Sequence, residues 1–196
     1  MLRNFALPVE RALAAAVTAV AAVAPFRHMQ TPGGYSMSVA MTNCGELGWV
    51  SDPTGYRYSA TDPETGAAWP AMPVAFAQLA RRAAEAAGFA AFAPDACLVN
   101  RYAPGTRLTL HQDKDERDFR EPIVSVSLGV NAVFLFGGLK RKDRPQRVPV
   151  EHGDVVVWGG PARLRYHGVS RILPGTAPPA LGFEGRFNLT FRQYDC

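Results

Sequence analysis

The spacing of apolar residues in this chain changes character near Pro94. Upstream, Leu13, Val17, Val20 and Ala24 recur at helical intervals with alanines between them, which predicts one stripe of an amphipathic helix packed on a core. A second stripe is formed by Phe76, Leu79, Ala80, Ala83 and Ala87, with Arg81, Arg82 and Glu85 elsewhere on the wheel. It lies between Pro73, a favoured first-turn residue, and Gly88, a favoured residue just past a helix end. Downstream the pattern breaks into short β-prone pieces at 97–102, 107–111, 123–128, 132–136, 147–151, 154–158, 164–167 and 186–193. Pro104-Gly105, Gly137-Gly138 and Gly159-Gly160-Pro161 separate several of them. Such a rhythm implies a sandwich or barrel, and eight strands bringing distant polar residues together suit a double-sheet jelly roll. The expected fold is mainly β with flanking helices. It is one domain over 1–196, with helices and a lid in 1–95 and a jelly-roll core (double-stranded β-helix) in 96–196. Residues 31–69, rich in Gly, Ser, Thr, Tyr and Met, read as a long loop, which in a compact domain points to a lid or binding element.

Composition narrows this picture only a little. At 196 residues with 47% hydrophobic and 19% charged positions, the chain is long enough to bury a substantial core. A net charge of +4 is weak support for a polyanionic partner. Cys44, Cys97 and Cys196 are odd in number and far apart, so neither a disulfide framework nor a Cys-type metal site is expected, and a cytoplasmic location fits. Ala22-Val23-Ala24 resembles a signal-peptidase site, but Glu10 spoils a basic leader and the apolar run is too short to span a membrane. Walker A, Gly-x-Ser-x-Gly and His-Glu-x-x-His patterns are absent, which removes the common NTPase, esterase and zinc-protease readings.

Candidate chemistry comes from widely spaced residues. His111-Gln112-Asp113 is followed by His167, and two imidazoles with one carboxylate are the ligand set of non-heme Fe(II) oxygenases. In a strand His111 and Asp113 would point the same way. Arg186, Asn188, Thr190 and Arg192 would likewise share one face, with Phe187, Leu189 and Phe191 on the other. Two guanidiniums downstream of the last ligand suggest a dicarboxylate beside the metal, hence an oxygenase that consumes 2-oxoglutarate. The chain holds a second His-x-Asp, His152-Gly153-Asp154, running into Val155-Val156-Val157-Trp158. Its glycine and its apolar sequel predict a turn that starts a buried strand.

Longer stretches identify a relationship. Thr31-Pro32-Gly33-Gly34-Tyr35, the run from Met37 to Gly45, Asn100-Arg101-Tyr102-Ala103-Pro104-Gly105, Leu110 to Glu116, Phe136 to Arg141, and Arg186 to Arg192 resemble the AlkB family of Fe(II)- and 2-oxoglutarate-dependent dioxygenases, which repair alkylated nucleobases. The similarity runs from about Pro25 to Gln193. It departs in a shorter N-terminus and a slightly longer loop between His167 and Arg186.

The resemblance implies His111, Asp113 and His167 as iron ligands. It implies Asn100, Tyr102, Arg186, Asn188, Thr190 and Arg192 around 2-oxoglutarate, with Arg186 on the far carboxylate. It further implies Trp49 stacking on a flipped-out base opposite His111, Met41, Tyr56 and Tyr58 as lid residues around the substrate, Asp115 facing the exocyclic amine, and Arg141 on the backbone phosphate. Residues 31–69 would then be a nucleotide-recognition lid. The expected activity is oxidative demethylation of 1-methyladenine- and 3-methylcytosine-type bases with Fe(II), 2-oxoglutarate and O2. The expected partner is alkylated DNA, single strands favoured and RNA open, acted on by a monomer with no membrane and no obligate protein partner. Two alternatives remain: a hydroxylase of a protein or small metabolite on the same iron centre, and a non-catalytic jelly-roll nucleic-acid-binding module.

Overall fold

A computed structural model describes residues 1–178 and 185–194. In chain order the elements are α1 (Glu10–Val23), β1 (Ala40–Gly45), β2 (Gly48–Asp52), β3 (Gly55–Ser59), α2 (Val74–Ala86), β4 (Ala96–Tyr102) and β5 (Leu108–His111). They continue with β6 (Ile123–Gly129), β7 (Ala132–Phe136), β8 (Gln146–Val150), β9 (Val155–Trp158), β10 (His167–Ile172) and β11 (Arg186–Arg192). A five-stranded sheet of order β1-β4-β11-β6-β9 faces a four-stranded sheet of order β5-β10-β7-β8, and β2 with β3 forms a separate hairpin. All pairings within the sheets are antiparallel, as expected of a jelly roll.

The five-stranded sheet is buried on both sides, and alternation decides what each side does. Cys97 and Val99 of β4, Phe187, Leu189 and Phe191 of β11, and Val124, Val126 and Leu128 of β6 pack in one cluster with Leu13, Val17 and Val20 of α1 and Phe76, Leu79, Ala80 and Ala83 of α2. The opposite face of β11 carries Arg186, Asn188, Thr190 and Arg192, all buried as well. It looks into the space between the sheets. A strand whose neighbours cover both faces still alternates apolar and polar when one cover is a core and the other a polar chamber.

Both expected helices are present, with one shift: Ala87 is exposed and Ala84 is buried in its place. Ala87 is the C-cap of α2, already turning away ahead of Gly88 at φ +92°.

Residues 31–69, expected as loop, contain β1, β2 and β3. β1 joins the edge of the main sheet by pairing with β4. β2 and β3 turn through Pro53-Thr54, where Asp52 Oδ1 accepts from the Thr54 backbone N–H at 2.8 Å. Gly, Ser and Thr at these positions hid the alternation, because their backbone pairing needs no large apolar side chain.

The strand expected at 164–167 also moves. His167 opens β10 rather than closing a strand, and Gly168 approaches β5 so closely that a Cβ there would lie 2.5 Å from the Leu108 carbonyl oxygen. Cys196 and part of the longer loop expected after His167 lie outside the described residues.

Candidate active site

The chamber between the sheets has a volume of about 530 Å³ and takes in most of the residues singled out above. Its floor is built from register. On β11, Arg186 faces Tyr102 on β4, Asn188 faces Asn100, and Thr190 faces Leu98. On the other flank Asn188 faces Ser127 and Thr190 faces Ser125 of β6. Cross-strand partners point to the same side of a sheet, so residues of three strands far apart in sequence meet in one polar surface.

His111 of β5 and His167 of β10 are direct register partners, and their rings lie 4.4 Å apart. Asp113 does not share a strand with His111, contrary to expectation: β5 ends at His111, and Asp113 lies in the irregular segment beyond. It is nevertheless brought to the pair, with Oδ1 3.6 Å from His111 Nε2 and 3.7 Å from His167 Nε2. The ligand atoms of these three residues lie within 4.8 Å of one another, and they are the group among the described residues able to hold a metal ion.

Both imidazoles are oriented by their other nitrogen. Nδ1 of His111 donates to the Thr109 carbonyl at 2.9 Å, and Nδ1 of His167 donates to the Arg165 carbonyl at 3.0 Å. A carbonyl only accepts, so each Nδ1 carries a proton, and in the neutral ring that leaves the Nε2 lone pair for a cation, the arrangement typical of metal-ligating histidines. Burial pushes His167 down to about 4, against the opposing pull of Asp113, so it stays neutral near pH 7. Burial alone would raise Asp113, but the Arg192 guanidinium, followed by His167 and His111, outweighs it and holds the carboxyl well below the usual carboxylate range. Arg192 grips Asp113 Oδ2 through Nε (3.0 Å) and Nη2 (2.7 Å), leaving Oδ1 turned to the histidines. Two neutral nitrogens and one anionic oxygen on one side of a small space fit Fe(II).

Beside the triad lies a cradle for a carboxylate. Arg186 is 2% exposed, donates Nη2 to Ser127 Oγ at 3.0 Å, and has Nε and Nη1 without a partner inside the protein; Asn100 Oδ1 is likewise buried and unpartnered. Burial pulls the Arg186 guanidinium below its ordinary value. Buried donors of this kind need an acceptor, and a dicarboxylate fits them. Tyr102, pushed up to about 12 by burial, has its ring 5.8 Å from the Arg186 guanidinium carbon. Asn188 Nδ2 donates to Ser125 Oγ (2.8 Å) and to the Val126 carbonyl (3.0 Å), and Thr190 donates to Asn188 Oδ1 (2.8 Å).

The roof is the β2–β3 hairpin. Trp49 stacks on Tyr56 at 5.7 Å between centroids and 14° between planes, and its Nε1 donates to Asp115 Oδ2 at 2.9 Å. Met41, Trp49, Tyr56, Asp115 and Arg141 all line the chamber. Tyr58 is not among the lining residues: its hydroxyl donates to Glu116 Oε1 at 2.5 Å and its ring packs on Tyr194 at 4.7 Å.

The sequence reading passed over Ser125, Ser127, Trp158, Glu116 and Arg163. The serines had a visible signal, since they interrupt Ile123-Val124-Ser125-Val126-Ser127-Leu128 at alternate positions. Trp158 lines the chamber beside His167, with ring centroids 4.8 Å apart. His152 is elsewhere, hydrogen-bonded through Nε2 to Glu10 at 2.7 Å.

Fold and site together define an iron- and 2-oxoglutarate-dependent oxygenase, and the family profile described as the 2OG-Fe(II) oxygenase superfamily matches residues 1–192. The chain is 59% identical over 193 residues to the alpha-ketoglutarate-dependent dioxygenase AlkB of Salmonella typhimurium, covering 98% of this chain and 88% of that protein. It is 58% identical, with the same coverage, to AlkB of Escherichia coli. Among solved structures, that titled "The structure of OsALKBH1" superposes with a TM-score of 0.83 at 34% identity, covering 98% of this chain and 96% of the other. The chain belongs to the AlkB family. Its cofactor is Fe(II), with 2-oxoglutarate and O2 as cosubstrates. Among the described residues no helix is long and apolar enough to cross a membrane.

Proposed function

We propose that the protein is an oxidative demethylase of N-alkylated nucleobases, of the 1-methyladenine and 3-methylcytosine type, acting on DNA strands and thereby repairing alkylation damage. The single observation that carries this reading is the roof: an aromatic platform, Trp49 on Tyr56, set over a His-Asp-His triad in one chamber. Relatives named AlkB support it, as does a mouse protein named nucleic acid dioxygenase ALKBH1, 36% identical over 129 residues, 65% of this chain and 33% of that one.

In this reading His111, Asp113 and His167 hold the iron. Arg186 takes the far carboxylate of 2-oxoglutarate, and Asn100, Tyr102, Asn188, Thr190 and Arg192 complete that pocket. Bound Fe(II) with 2-oxoglutarate and O2 supplies a two-electron oxidation that inserts one oxygen atom into a substrate C–H bond, leaving succinate and CO2. On an N-methyl group the product is an N-hydroxymethyl base, whose C–N bond breaks to give formaldehyde and the restored base.

The chain's own part is binding and aim. Trp49 and Tyr56 present ring faces to an extruded base, the form in which the methyl becomes accessible. Asp115 keeps Trp49 in place through Nε1 and offers negative charge to a cationic methylated base. Apolar Met41 and Phe134 help close the chamber walls to water. Arg141 lies at the mouth within Lys140-Arg141-Lys142, fitted to a phosphate. The acting unit is proposed to be a monomer, and its three widely spaced cysteines suit the cytoplasm.

The test is mass spectrometry of a panel of methylated oligonucleotides, DNA and RNA, incubated with protein, Fe(II), 2-oxoglutarate and ascorbate. Loss of 14 mass units per lesion, about one methylene, is the expected result. Succinate formed at full rate without any such loss would move the substrate to a protein or small metabolite.

A further inference from the structure

Asp113 belongs to a segment with little regular structure of its own. Between β5, which ends at His111, and β6, which begins at Ile123, the chain forms neither helix nor strand. Side chains from elsewhere must therefore fix where Asp113, Asp115 and Glu116 sit. Arg163, buried just past the short turn Gly160–Ala162, makes three bonds to this segment. Its Nη1 donates to the Asp113 carbonyl (2.8 Å), its Nη2 to Glu116 Oε2 (3.0 Å) and its Nε to the Glu121 carbonyl (3.0 Å).

Glu116 is buried in turn and collects donors from three distant parts of the chain. Oε1 takes the Tyr58 hydroxyl from β3 and lies 3.2 Å from Arg192 Nε of β11, while Oε2 takes Arg163. Arg192 is the same side chain that holds Asp113 Oδ2. A continuous path thus runs from half-buried Tyr58 of the roof hairpin through buried Glu116 and Arg192 to Asp113. Tyr58 is the register partner of Trp49, so one hairpin touches both the chamber roof and this path.

We propose that Glu116, braced by Arg163, is a positioning residue that couples closure of the β2–β3 lid to the alignment of Asp113 as a metal ligand. The proposal rests on the reading of that hairpin as a substrate lid. Arg163 and Arg192 with Asp113 and Glu116 form a set in which buried positive and negative charges balance, and removing one carboxylate leaves a guanidinium uncompensated. When the hairpin lifts, Tyr58 leaves Glu116 Oε1 to Arg192 alone, and the shared Nε shifts from Asp113 toward Glu116. Coupling of this kind is reciprocal: whatever closes the lid tightens the metal, and the metal tightens the lid by the same factor.

The test is titration of the metal-free full chain with Co(II), read by its visible absorption, with and without a methylated oligonucleotide. The oligonucleotide is expected to tighten Co(II) about 5-fold or more in the unaltered protein. Tyr58→Phe keeps the ring against Tyr194 but should lose that tightening. Glu116→Gln should weaken Co(II) roughly 10- to 100-fold, as loss of a residue supporting a ligand does, and should alter the Co(II) spectrum. Should Glu116→Gln fail to fold, as judged by circular dichroism, Arg163→Lys replaces it, keeping the charge while losing the three-way bracing. Co(II) affinity, spectrum and oligonucleotide response all unchanged in Tyr58→Phe and in the second variant would overturn the proposal. If the unaltered protein demethylates nothing, the substrate reading fails. The oligonucleotide-free Co(II) arm still judges Glu116.

Discussion

The chain uses His-x-Asp twice, and the two copies end in opposite roles. At His152-Gly153-Asp154 every side-chain polar atom is spent on the fold. Gly129 N–H donates to His152 Nδ1 at 3.1 Å, His152 Nε2 meets Glu10, and Asp154 takes Arg3 together with the backbone N–H of Asn4 and Glu151. Gly153, at φ +84°, makes the turn. At His111-Gln112-Asp113 the same two residue types leave atoms uncommitted: each Nδ1 is tied to a carbonyl, each Nε2 faces Asp113 Oδ1, and Arg192 occupies only Oδ2. What separates a ligand from a strut is the identity of the partners, not the spacing.

The sharpest break of this comparison is alanine in turn at His111, Asp113 and His167 against His152→Ala. The first three are expected to abolish metal binding and turnover. The fourth should keep both and lose about 1–3 kcal/mol of stability, the cost of stranding a buried hydrogen-bond partner. Iron content and thermal melts measure the contrast, and loss of bound iron from folded His152→Ala would erase it.

Arg186→Ala sharpens the ligand side. Removing one partner of a buried charge pair costs about 2–5 kcal/mol, roughly 30- to several-thousand-fold in 2-oxoglutarate affinity. A change under about threefold in calorimetric titration would reassign the far carboxylate to another residue of β11.

The pH dependence of the metal-free protein comes next. His167 is depressed from 6.5 to about 4. Above 6.5 it is neutral in both folded and unfolded chains. Between 6.5 and 4 the unfolded chain takes up the proton first, so stability should fall as pH falls through that window, by about 3 kcal/mol at most. Melts of His167→Gln, which lacks the titration, should lose this slope; an identical slope would place its origin in another group.

Trp49→Ala is expected to cost roughly 1–3 kcal/mol, about 5- to 150-fold in kcat/KM on methylated oligonucleotides, with metal and 2-oxoglutarate binding retained. Full demethylation by a folded variant would leave the base to other residues. The smallest effect is on salt. Arg141→Ala should make the salt dependence of single-strand binding shallower by about one unit of slope, and an unchanged slope would return Lys140 to Arg147 to the status of a solvated turn.

What the sequence made legible follows from what carries a periodic signal. β4, β6, β7, β9 and β11 are apolar on at least one face and fell within a residue or two of expectation. β1, β2 and β3 did not, because Thr42, Asn43, Gly48 and Ser51 pair through backbone and side-chain bonds that leave no apolar rhythm. Arg186, Asn188, Thr190 and Arg192 were readable as one face because a strand enforces parity. The convergence of Asp113 was expected for the wrong reason, a shared strand, when Arg192 and Arg163 in fact bring it to the histidines. For Tyr58 the resemblance implied a lid residue around the substrate, and nothing in the sequence names its tertiary partner, Glu116, toward which its hydroxyl turns.

Strand β11 lies between β4 and β6 yet comes after every other strand in chain order. During synthesis, then, the ribosome delivers His111, Asp113 and His167 well before Arg192. Until Arg186–Arg192 emerges, β4 and β6 have no neighbour to join them, and Asp113 has no guanidinium to hold it. Over the stretch from His167 to Arg192 the nascent chain therefore carries all three metal-binding residues without the guanidinium that holds Asp113. Competence arrives in one step, when the final strand zips into the gap.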